Sequence, residues 1–309
     1  MTQKAIVFPG QGSQYVGMLA DLATVYPDIK HSFAEVSDHV HYDVWDMIQQ
    51  GPEEKLNQTE HTQVAMLTAN VALFKAFQVL DSQLPEKMAG HSLGEYAALV
   101  CADAISLVDA AKLVQIRGRL MQETIPLGMG AMAAIVGLSD EQVRAICLDS
   151  TTEQEQVSPA NYNAIGQVVI AGHHAAVLKA IALAEAQDAR IAKLIPVSVP
   201  CHCALLQPAA VKFAQALADV RFSVPKYTVI SNVDLSIYQS VEQIRTLLQQ
   251  QLYSPVRWVE TIQMMQENGI ETIVECGPGK VLGGLIKRID KSLQVVSAYE
   301  TLLQHVKQG

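Results

Sequence analysis

The stretch that most constrains the fold is residues 89–98, which contain the pattern G-x-S-x-G with Ser92 at its centre. A short apolar stretch precedes it, and apolar residues at helical spacing follow. This order is typical of a nucleophile elbow, in which a strand turns sharply into a helix and exposes the serine at the tip. Gly90 and Gly94 flank the serine because side chains there would collide with neighbouring backbone. A glycine-flanked serine also occurs in ordinary turns, so the catalytic interpretation is the favoured one of two.

Length and composition predict a globular chain with a sizeable buried core. Of its 309 residues, 50% are hydrophobic and 17% are charged, which fits one large domain or two modest ones. The formal net charge of −9 argues against general binding to nucleic acid. The N-terminus lacks a cationic region followed by an apolar stretch and cleavage site, and no uninterrupted apolar run approaches the ~18 residues of a membrane span. We therefore expect a cytoplasmic protein with no signal peptide and no membrane segment.

The 5 cysteines are dispersed and predict no disulfide framework. Residues 201–203 read Cys-His-Cys, which could suggest a metal site. In an extended segment, however, the two cysteines would point one way and the histidine the other. No C-x-x-C pair supplies further ligands, so we expect no metal.

A glycine-rich turn at residues 9–14 follows an apolar strand at residues 5–8. The phosphate-loop pattern fails because no Gly-Lys-Ser/Thr follows, and the dinucleotide pattern fails because Tyr15 stands where the third glycine belongs. A non-catalytic nucleotide-binding domain therefore has weak support. The other interpretation is a strand-to-helix loop whose backbone and Gln11 side chain face a cleft.

A cationic residue falls among apolar ones in the helix that begins after Ser106. At 100° per residue, Arg117 lies in the middle of the apolar arc. One interpretation is that its long side chain reaches solvent or pairs with a structural carboxylate. The other is that it faces a cleft and binds an anionic ligand, for which the guanidinium fork suits a carboxylate. The pattern alone does not decide between them.

The pattern changes at residues 126–130, after which short strands and helices alternate. This β-α-β-α-β order within ~70 residues predicts a small α+β unit inserted in the larger domain. The predicted elements are strands at 131–136, 167–171 and 190–199 and helices at 139–148 and 175–189. Beyond them we predict a strand at 227–232, a helix at 241–253 and a last strand at 272–276.

Three histidines are candidates for a base that activates Ser92. His202 follows a predicted strand in a loop, which is where α/β enzymes place such a base, but His173 and His174 also follow a strand. Spacing alone cannot choose among the three.

Five motifs taken together resemble the bacterial malonyl-CoA:acyl-carrier-protein transacylases. They are FPGQGSQ at 8–14, GHSLGEY at 90–96, GQVVIAG at 166–172, VPCHCAL at 199–205 and ECGPGKVL at 275–282. The resemblance runs in order from residue 3 to about residue 300. It implies an α/β fold, with an α/β-hydrolase-like large subdomain at residues 1–128 and 198–309 and an inserted ferredoxin-like small subdomain at residues 129–197.

The resemblance also assigns catalytic roles to matched positions. Ser92 is the expected nucleophile and His202 the expected base. The backbone amides of Gln11 and Leu93 are expected to form the oxyanion hole. Arg117 is expected to hold the malonyl carboxylate.

Further roles follow from the same resemblance. The backbone carbonyl of Gln251 is expected to orient His202, and the pocket is expected to be lined by Gln63, Asn161 and Asn163. The chain departs from the family pattern in two places, Cys201 instead of serine and Val64 instead of proline. Both departures bear on fine details of the pocket and not on the reaction. Cys201 also bears on the acyl group that the pocket selects, since the residue before the histidine helps to set that choice in related acyltransferases.

The implied function is transfer of a malonyl group from malonyl-CoA to the phosphopantetheine thiol of acyl carrier protein, through a malonyl-serine, in fatty acid biosynthesis. No permanently bound cofactor is implied, and we expect a monomer. The basic residues Lys280, Lys287 and Arg288 are the candidate dock for the acidic carrier, although such clusters are usually solvated faces.

Two other enzymatic functions remain open. A serine hydrolase such as a thioesterase would use the same G-x-S-x-G pattern and release malonate to water. A polyketide-type acyltransferase would use the same chemistry with a different carrier or extender unit.

Overall fold

The computed structural model of the chain describes residues 3–126, 128–196 and 199–308. Through residue 126 the elements are β1 (Lys4–Phe8), α1 (Ala20–Ala23), α2 (Pro27–Val40), α3 (Val44–Gln50), α4 (Glu53–Leu56), α5 (Thr59–Leu80), β2 (Lys87–Gly90), α6 (Gly94–Cys101) and α7 (Leu107–Thr124). The middle part contains β3 (Gly130–Val136), α8 (Asp140–Ser150), β4 (Val157–Ala164), β5 (Gln167–His173), α9 (His174–Ala186) and β6 (Ile191–Leu194). After residue 199 come a 3₁₀ turn (Ala204–Leu206), α10 (Gln207–Asp219), β7 (Thr228–Val229), α11 (Val241–Gln250), α12 (Trp258–Glu267), β8 (Thr272–Glu275), α13 (Val281–Ile289), β9 (Gln294–Ser297) and α14 (Ala298–Gln308).

The larger sheet is parallel, with strand order β7-β2-β1-β8-β9. Every residue of the central strand β1 is buried, as expected for a parallel strand that helices cover on both faces. In the register, Phe8 lies opposite Gly90 on one side and Val7 lies opposite Glu275 on the other. The carboxyl ends of β1, β2 and β8 therefore meet at one edge, which brings the glycine-rich turn beside the elbow.

Helix α5 forms much of the core beneath this sheet and packs against α2, α6 and α7. By length and composition it is the one helix of the described residues that could cross a membrane. However, 78% of its apolar window is buried inside the molecule. Packing in the core therefore accounts for its apolar composition.

The smaller sheet is antiparallel, with strand order β4-β5-β3-β6. Helices α8 and α9 pack together against it and enclose a separate hydrophobic core. The element order βαββαβ is that of a ferredoxin-like unit. The predicted α/β fold, with a hydrolase-like large subdomain and an inserted ferredoxin-like small one, is confirmed. The exact boundaries remain a prediction, since Val197 and Ser198 at one of them, and Leu127 near the other, lie outside the described residues.

The sequence-based assignment missed β4, which inserts a strand into the expected β-α-β-α-β order. This segment contains Pro159 and two asparagines, and its burial does not alternate along the strand. Its pairing with β5 also shifts register between Pro159 and Asn161 and again between Tyr162 and Ala164. A strand of this kind is held by its neighbours and carries little periodic signal.

Several other predicted boundaries were wrong. The strand predicted at 227–232 is regular only at Thr228–Val229. Of the described residues in the strand predicted at 190–199, only Ile191–Leu194 form a strand, and Val197 and Ser198 lie outside the described residues. Strand β8 is not the last, because β9 (Gln294–Ser297) pairs with it at the sheet edge. The helix predicted to run to residue 253 ends as α11 at Gln250. Short edge strands with half-exposed residues give weak sequence patterns.

Candidate active site

Ser92 lies in the turn that joins β2 to α6 and has the left-handed backbone angle φ 52°. This conformation is costly for a residue with a side chain and is typical of a strained nucleophile elbow. The neighbouring backbone leaves no space for larger residues: a Cβ added at Gly90 would lie 1.8 Å from the Gly94 carbonyl carbon. A Cβ at Gly94 would lie 2.0 Å from the Phe8 carbonyl oxygen. The predicted elbow is therefore enforced by close backbone packing.

The Ser92 hydroxyl is hydrogen-bonded to a histidine ring from 110 positions further along the chain. Ser92 Oγ lies 2.7 Å from His202 Nε2, and His202 Nδ1 lies 2.7 Å from the backbone oxygen of Gln251. A carbonyl oxygen can only accept, so Nδ1 carries the proton and Nε2 is free to accept. Ser92 then donates its hydroxyl proton to Nε2, which is the arrangement that general-base activation requires.

Burial, followed by the nearby positive charge of Arg117, lowers the pKa of His202 from 6.5 to about 3. The ring is therefore neutral at physiological pH and can accept a proton. Its position is fixed by the main chain as well, because His202 N donates to the Leu252 oxygen at 3.1 Å. His202 has φ 60°, so the Cys-His-Cys segment is not extended here and the expected alternation of its side chains does not apply.

The turn after β1 packs directly against the elbow. A Cβ added at Gly10 would lie 2.6 Å from the His91 carbonyl oxygen and 3.7 Å from the Leu93 amide nitrogen. In the part of the chain that the structure describes, neither Gln11 N nor Leu93 N donates a hydrogen bond. Both amides are thus available beside Ser92, as an oxyanion hole requires, although their role there remains a prediction.

Arg117 is 1% exposed and lies beside Ser92, not at the surface. Nη1 donates to Gln63 Oε1 at 2.9 Å, and Nη2 donates to Gln251 Oε1 at 3.0 Å and to Ser92 Oγ at 3.4 Å. Its Nε has no partner. Its partners are neutral, and within the described ranges no carboxylate lies close enough for an ion pair. This geometry supports the interpretation in which Arg117 binds an anionic ligand, and it argues against a structural ion pair.

The site opens into a cleft of about 630 Å³ between the two subdomains. The large subdomain contributes the serine, the histidine and the arginine, and the small one contributes the apolar residues Met132 and Val169. The cleft brings together nearly all of the sequence-predicted site residues: Gln11, Gln63, Ser92, Leu93, Arg117, Asn161, Asn163 and His202. Gln251 lies behind His202 and is 1% exposed.

The two positions that depart from the family pattern differ in location. Cys201 lines the cleft, whereas Val64 is fully buried in the large core. Burial raises the pKa of the Cys201 thiol to about 11, so it stays protonated. Cys201 therefore contributes to the shape of the pocket as a neutral side chain.

Other candidates lie away from the cleft. His173 Nδ1 accepts from Gln156 N at 2.9 Å, and His174 begins α9, so neither is near Ser92. Among the proposed docking residues, Lys280 forms an ion pair with Glu300, and Lys287 of α13 donates to backbone oxygens of the segment that follows the helix. Arg288 donates to Gln167 Oε1 at 2.5 Å. Their role in docking remains a prediction.

Sequence reasoning missed the polar network behind the elbow. Asn232 Oδ1 accepts from Ser92 N at 2.7 Å, and Asn232 Nδ2 donates to the Gly90 oxygen at 2.7 Å. Glu95, which is fully buried, accepts from the Tyr238 hydroxyl and from Gln251 Nε2. The available signal was a charged residue on an otherwise apolar helix, at Glu95 in the GHSLGEY motif.

Metal chemistry has no visible ligand set in residues 3–126, 128–196 and 199–308, where no group of three His, Cys, Asp or Glu side chains is arranged to hold an ion.

A hydroxyl, a neutral imidazole and two unpaired amides in one cleft of an α/β fold are the features of an acyl-transfer enzyme. The family model of the acyl transferase domain matches residues 5–304, so the chain belongs to this family of acyltransferases.

Several relatives are similar to this protein over nearly the whole chain. The malonyl CoA-acyl carrier protein transacylase of Escherichia coli (strain K12) is 52% identical over 293 residues, which cover 95% of this chain and 94% of that protein. The solved structure of the malonyl CoA-acyl carrier protein transacylase from Coxiella burnetii is 47% identical with a TM-score of 0.96, covering 99% of this chain and 98% of that one. A malonyl-transacylase solved in complex with its type II PKS acyl-carrier protein is 47% identical with a TM-score of 0.96 over 100% of both chains.

Proposed function

We propose that this enzyme transfers the malonyl group of malonyl-CoA to the phosphopantetheine thiol of an acyl carrier protein, as a step of fatty acid biosynthesis. The observation that carries the proposal is the position of Ser92 Oγ, which lies 2.7 Å from His202 Nε2 and 3.4 Å from Arg117 Nη2. A nucleophile, its base and a carboxylate-binding cation thus share one cleft. The 52% identity to the Escherichia coli transacylase supports both the acyl group and the carrier.

In the first half-reaction, Ser92 Oγ attacks the thioester carbonyl carbon while its proton moves to His202 Nε2. The carbonyl oxygen becomes an oxyanion that the Gln11 and Leu93 amides stabilise, and loss of one such donor typically costs about 3 kcal/mol. Collapse of the tetrahedral intermediate breaks the carbon–sulfur bond. The departing coenzyme A thiolate takes the proton from His202, and malonyl-Ser92 remains.

In the second half-reaction, the carrier's thiol gives its proton to His202 Nε2 and its sulfur attacks the malonyl-Ser92 ester. The carbon–oxygen bond breaks, and Ser92 Oγ regains the proton. The products are malonyl-carrier and the free enzyme, so the two halves balance without any co-reactant.

Acyl selection follows from the partners of Arg117. Its guanidinium fork suits a carboxylate at two nitrogens, and its present partners, Gln63 and Gln251, are neutral amides that compete weakly with an anion. An acetyl group brings no carboxylate, so the positive charge of the guanidinium has no anionic partner in a partly dry pocket. A carbonyl instead of a carboxylate behind His202 fits the same logic, because a second anion at the base would oppose the substrate's own.

The proposal also covers the pocket wall, the carrier-docking surface, the cellular compartment and the oligomeric state. Asn161 and Asn163 form the wall that faces the acyl group, and malonyl-CoA is a substrate with no permanently bound cofactor required. Lys280, Lys287 and Arg288 are the proposed dock for an acidic carrier that binds transiently. We place the reaction in the cytoplasm and expect the enzyme to act as a monomer.

The test is intact-protein mass spectrometry after addition of malonyl-CoA, with and without holo acyl carrier protein. We expect a malonyl mass gain on the peptide that contains Ser92, stable until the carrier's thiol discharges it. A serine hydrolase would instead release malonate in water without the carrier. Absence of any malonyl adduct under both conditions would overturn the proposal.

A second candidate uses the same chemistry on the carrier of a polyketide synthase. It is favoured by the 47% identity to the malonyl-transacylase that was solved with its type II PKS acyl-carrier protein. Comparing discharge of the malonyl-enzyme by a fatty-acid carrier and by a polyketide carrier separates the two. Preference for the polyketide carrier would favour this second candidate.

A further inference from the structure

A fully buried carboxyl group lies directly behind the elbow and has no part in the chemistry described above. Glu95 is 0% exposed and lies in the first turn of α6. Its Oε1 accepts from the Tyr238 hydroxyl at 2.5 Å, and its Oε2 accepts from Gln251 Nε2. The Asn232 backbone amide lies 3.4 Å from both oxygens. A buried carboxyl with this many donors is an organising group whose removal would leave several of them unpaired.

Gln251 connects this carboxyl group to the active site. Its side-chain Nε2 donates to Glu95 and to the Ser92 backbone oxygen, at 3.0 Å for the latter. Because both of these partners accept, the amide nitrogen must face them and Oε1 must face the other way. Oε1 then accepts from Arg117 Nη2 at 3.0 Å. The Glu95 carboxyl group thus sets the orientation of the Gln251 amide. The oxygen of that amide in turn holds the Arg117 guanidinium.

We propose that Glu95 is a positioning residue for acyl-group selection, which acts through the Gln251 side chain to hold the Arg117 guanidinium where it meets the substrate carboxylate. Glu95 touches neither the substrate nor the reacting atoms. The inference rests on the proposed malonyl transfer and deepens it, because it assigns the selectivity for malonyl to a group outside the cleft wall.

The protonation state of Glu95 determines how many hydrogen bonds its carboxyl group can accept in this arrangement. Arg117 forms no direct ion pair in the described part of the chain, yet it lies close enough to Glu95 to favour the ionised carboxylate. The groups that face Glu95 are Tyr238, Tyr96 and Arg117. Burial raises the pKa of Glu95 to about 7, while its hydrogen-bond donors oppose this rise. As pH falls through about 7, Glu95 gains a proton and one of its two oxygens stops accepting.

The main test is Glu95→Gln, which keeps the size of the side chain but removes its charge and replaces one of its two acceptor oxygens with a donor. Acylation is measured with two probes, malonyl-CoA, which uses Arg117, and p-nitrophenyl acetate, which carries no carboxylate. We expect malonyl kcat/KM to fall about 10- to 100-fold and acylation by the acetate ester to stay within about threefold of wild type. An equal loss for both probes, or no loss for either, would overturn the inference.

The matched control is Glu275→Gln. Glu275 is also buried, at 1% exposure, and burial raises its pKa to about 7 as well. Its carboxyl group accepts from the Leu282 and Gly283 amides at the start of α13 and lies outside the cleft. This variant reports the effect of neutralising a buried carboxylate elsewhere in the same subdomain. We expect reduced stability with an unchanged ratio of the two acylation rates.

A second variant keeps the inference testable if Glu95→Gln does not fold. Tyr238→Phe leaves the carboxylate in place and removes one donor that lowers its pKa. We expect the malonyl pH profile of the wild type to have an acid limb near pH 7, and we expect this limb to lie at higher pH in Tyr238→Phe. A profile that is identical in both proteins would contradict the inference.

Coupling to Arg117 provides the final check. In an Arg117→Ala background, Glu95→Gln should cause no further loss of malonyl transfer, since the group that Glu95 positions is already absent. An additive loss would place the action of Glu95 elsewhere. Wild-type malonyl transfer is measured in the same series, so its absence would reject the proposed function, whereas its presence with an unchanged probe ratio in Glu95→Gln would reject only this inference.

Discussion

The two sheets of the molecule face the same cleft but contribute different kinds of side chain. The parallel sheet brings Ser92 at the end of β2 and Gln11 after β1, and helix α7 of the same subdomain brings Arg117. The antiparallel sheet contributes apolar residues, such as Met132 and Val169, and neutral amides. Parallel strands end together beside helix N-termini, so they gather amides and strained turns at one edge. The comparison teaches that the reactive groups belong to one subdomain, whereas the other contributes an apolar and amide wall of the pocket.

The contact between the subdomains is made largely through β4, the strand that sequence patterns missed. Tyr162 N donates to the Val256 oxygen at 3.0 Å, and Val256 N donates to the Ala160 oxygen at 2.9 Å. Asn163 Oδ1 lies 2.7 Å from Nε2 of His91, which precedes Ser92 in the chain. An irregular strand is suited to this position because part of its backbone must pair outside its own sheet.

The strongest test of this division is Ser92→Ala. We expect loss of malonyl transfer by ~10⁴-fold or more, because no other described residue of the cleft pairs a hydroxyl with the histidine. Intact-protein mass spectrometry and the transfer rate measure the effect. The control is Ser106→Ala, which removes the N-cap of α7 and should reduce only stability. A malonyl adduct that persists in Ser92→Ala would contradict the assignment of the reactive hydroxyl to the large subdomain.

The next largest effect is expected for Arg117→Ala. Malonyl transfer should fall about 10²- to 10³-fold, while acetyl transfer survives or rises, because only the malonyl carboxylate uses the guanidinium. Arg245→Ala is the matched control, since that arginine donates to backbone oxygens near the end of α10 and lies outside the cleft. Unchanged malonyl kinetics in Arg117→Ala would remove this residue from the site.

A third prediction concerns the pH dependence of stability that the proposed base, His202, should cause. The pKa of His202 is about 3 in the folded chain and 6.5 without the fold, so between these values only the unfolded chain binds the proton. Stability is therefore unaffected above about pH 6.5 and falls as pH decreases below it. Relative to His202→Gln, the wild type should lose about 2 kcal/mol of unfolding free energy between about pH 7.5 and about pH 5. Urea unfolding at both values measures this, and equal pH dependence of the two proteins would refute it.

The fourth prediction sharpens the role of the small subdomain. Asn163→Ala removes the hydrogen bond to His91 across the cleft, which should raise the KM for malonyl-CoA about fivefold, with kcat changed less. Steady-state kinetics separate the two constants. Asn268→Ala, on the surface after α12, is the control and should leave both unchanged. A kcat loss as large as that of Arg117→Ala would mean that the wall takes part in the chemistry.

The smallest effect is expected on the outer face of the large subdomain. Arg288→Glu should raise the KM for the carrier about two- to threefold at low salt, with the difference reduced at high salt. Lys226→Glu is the control, because this lysine pairs with Asp103 in another part of the surface. An equal response in the two variants would show that general surface charge, and not a dock, governs carrier binding.

The sequence by itself determined the local features of the site. Residues 88–96 specify the elbow because the close approach of Gly90 and Gly94 to neighbouring backbone is a short-range steric requirement. The same holds for the buried parallel strand β1 and the long core helix α5, whose apolar patterns are strong and continuous. Family resemblance then extended these local patterns to the two-subdomain fold and to the positions expected in the pocket.

The tertiary structure decided which distant residues act together. Nothing near Ser92 in sequence distinguishes His202 from His173. Ser92 and His202 are separated by 110 positions in the chain, and only the tertiary fold brings them into contact. The orientation of Arg117, the tautomer of His202 and the network around Glu95 depend on Gln251, which meets all three. The physical reason is that a buried polar group takes its state from whichever partners the fold places around it, and those partners come from distant parts of the chain.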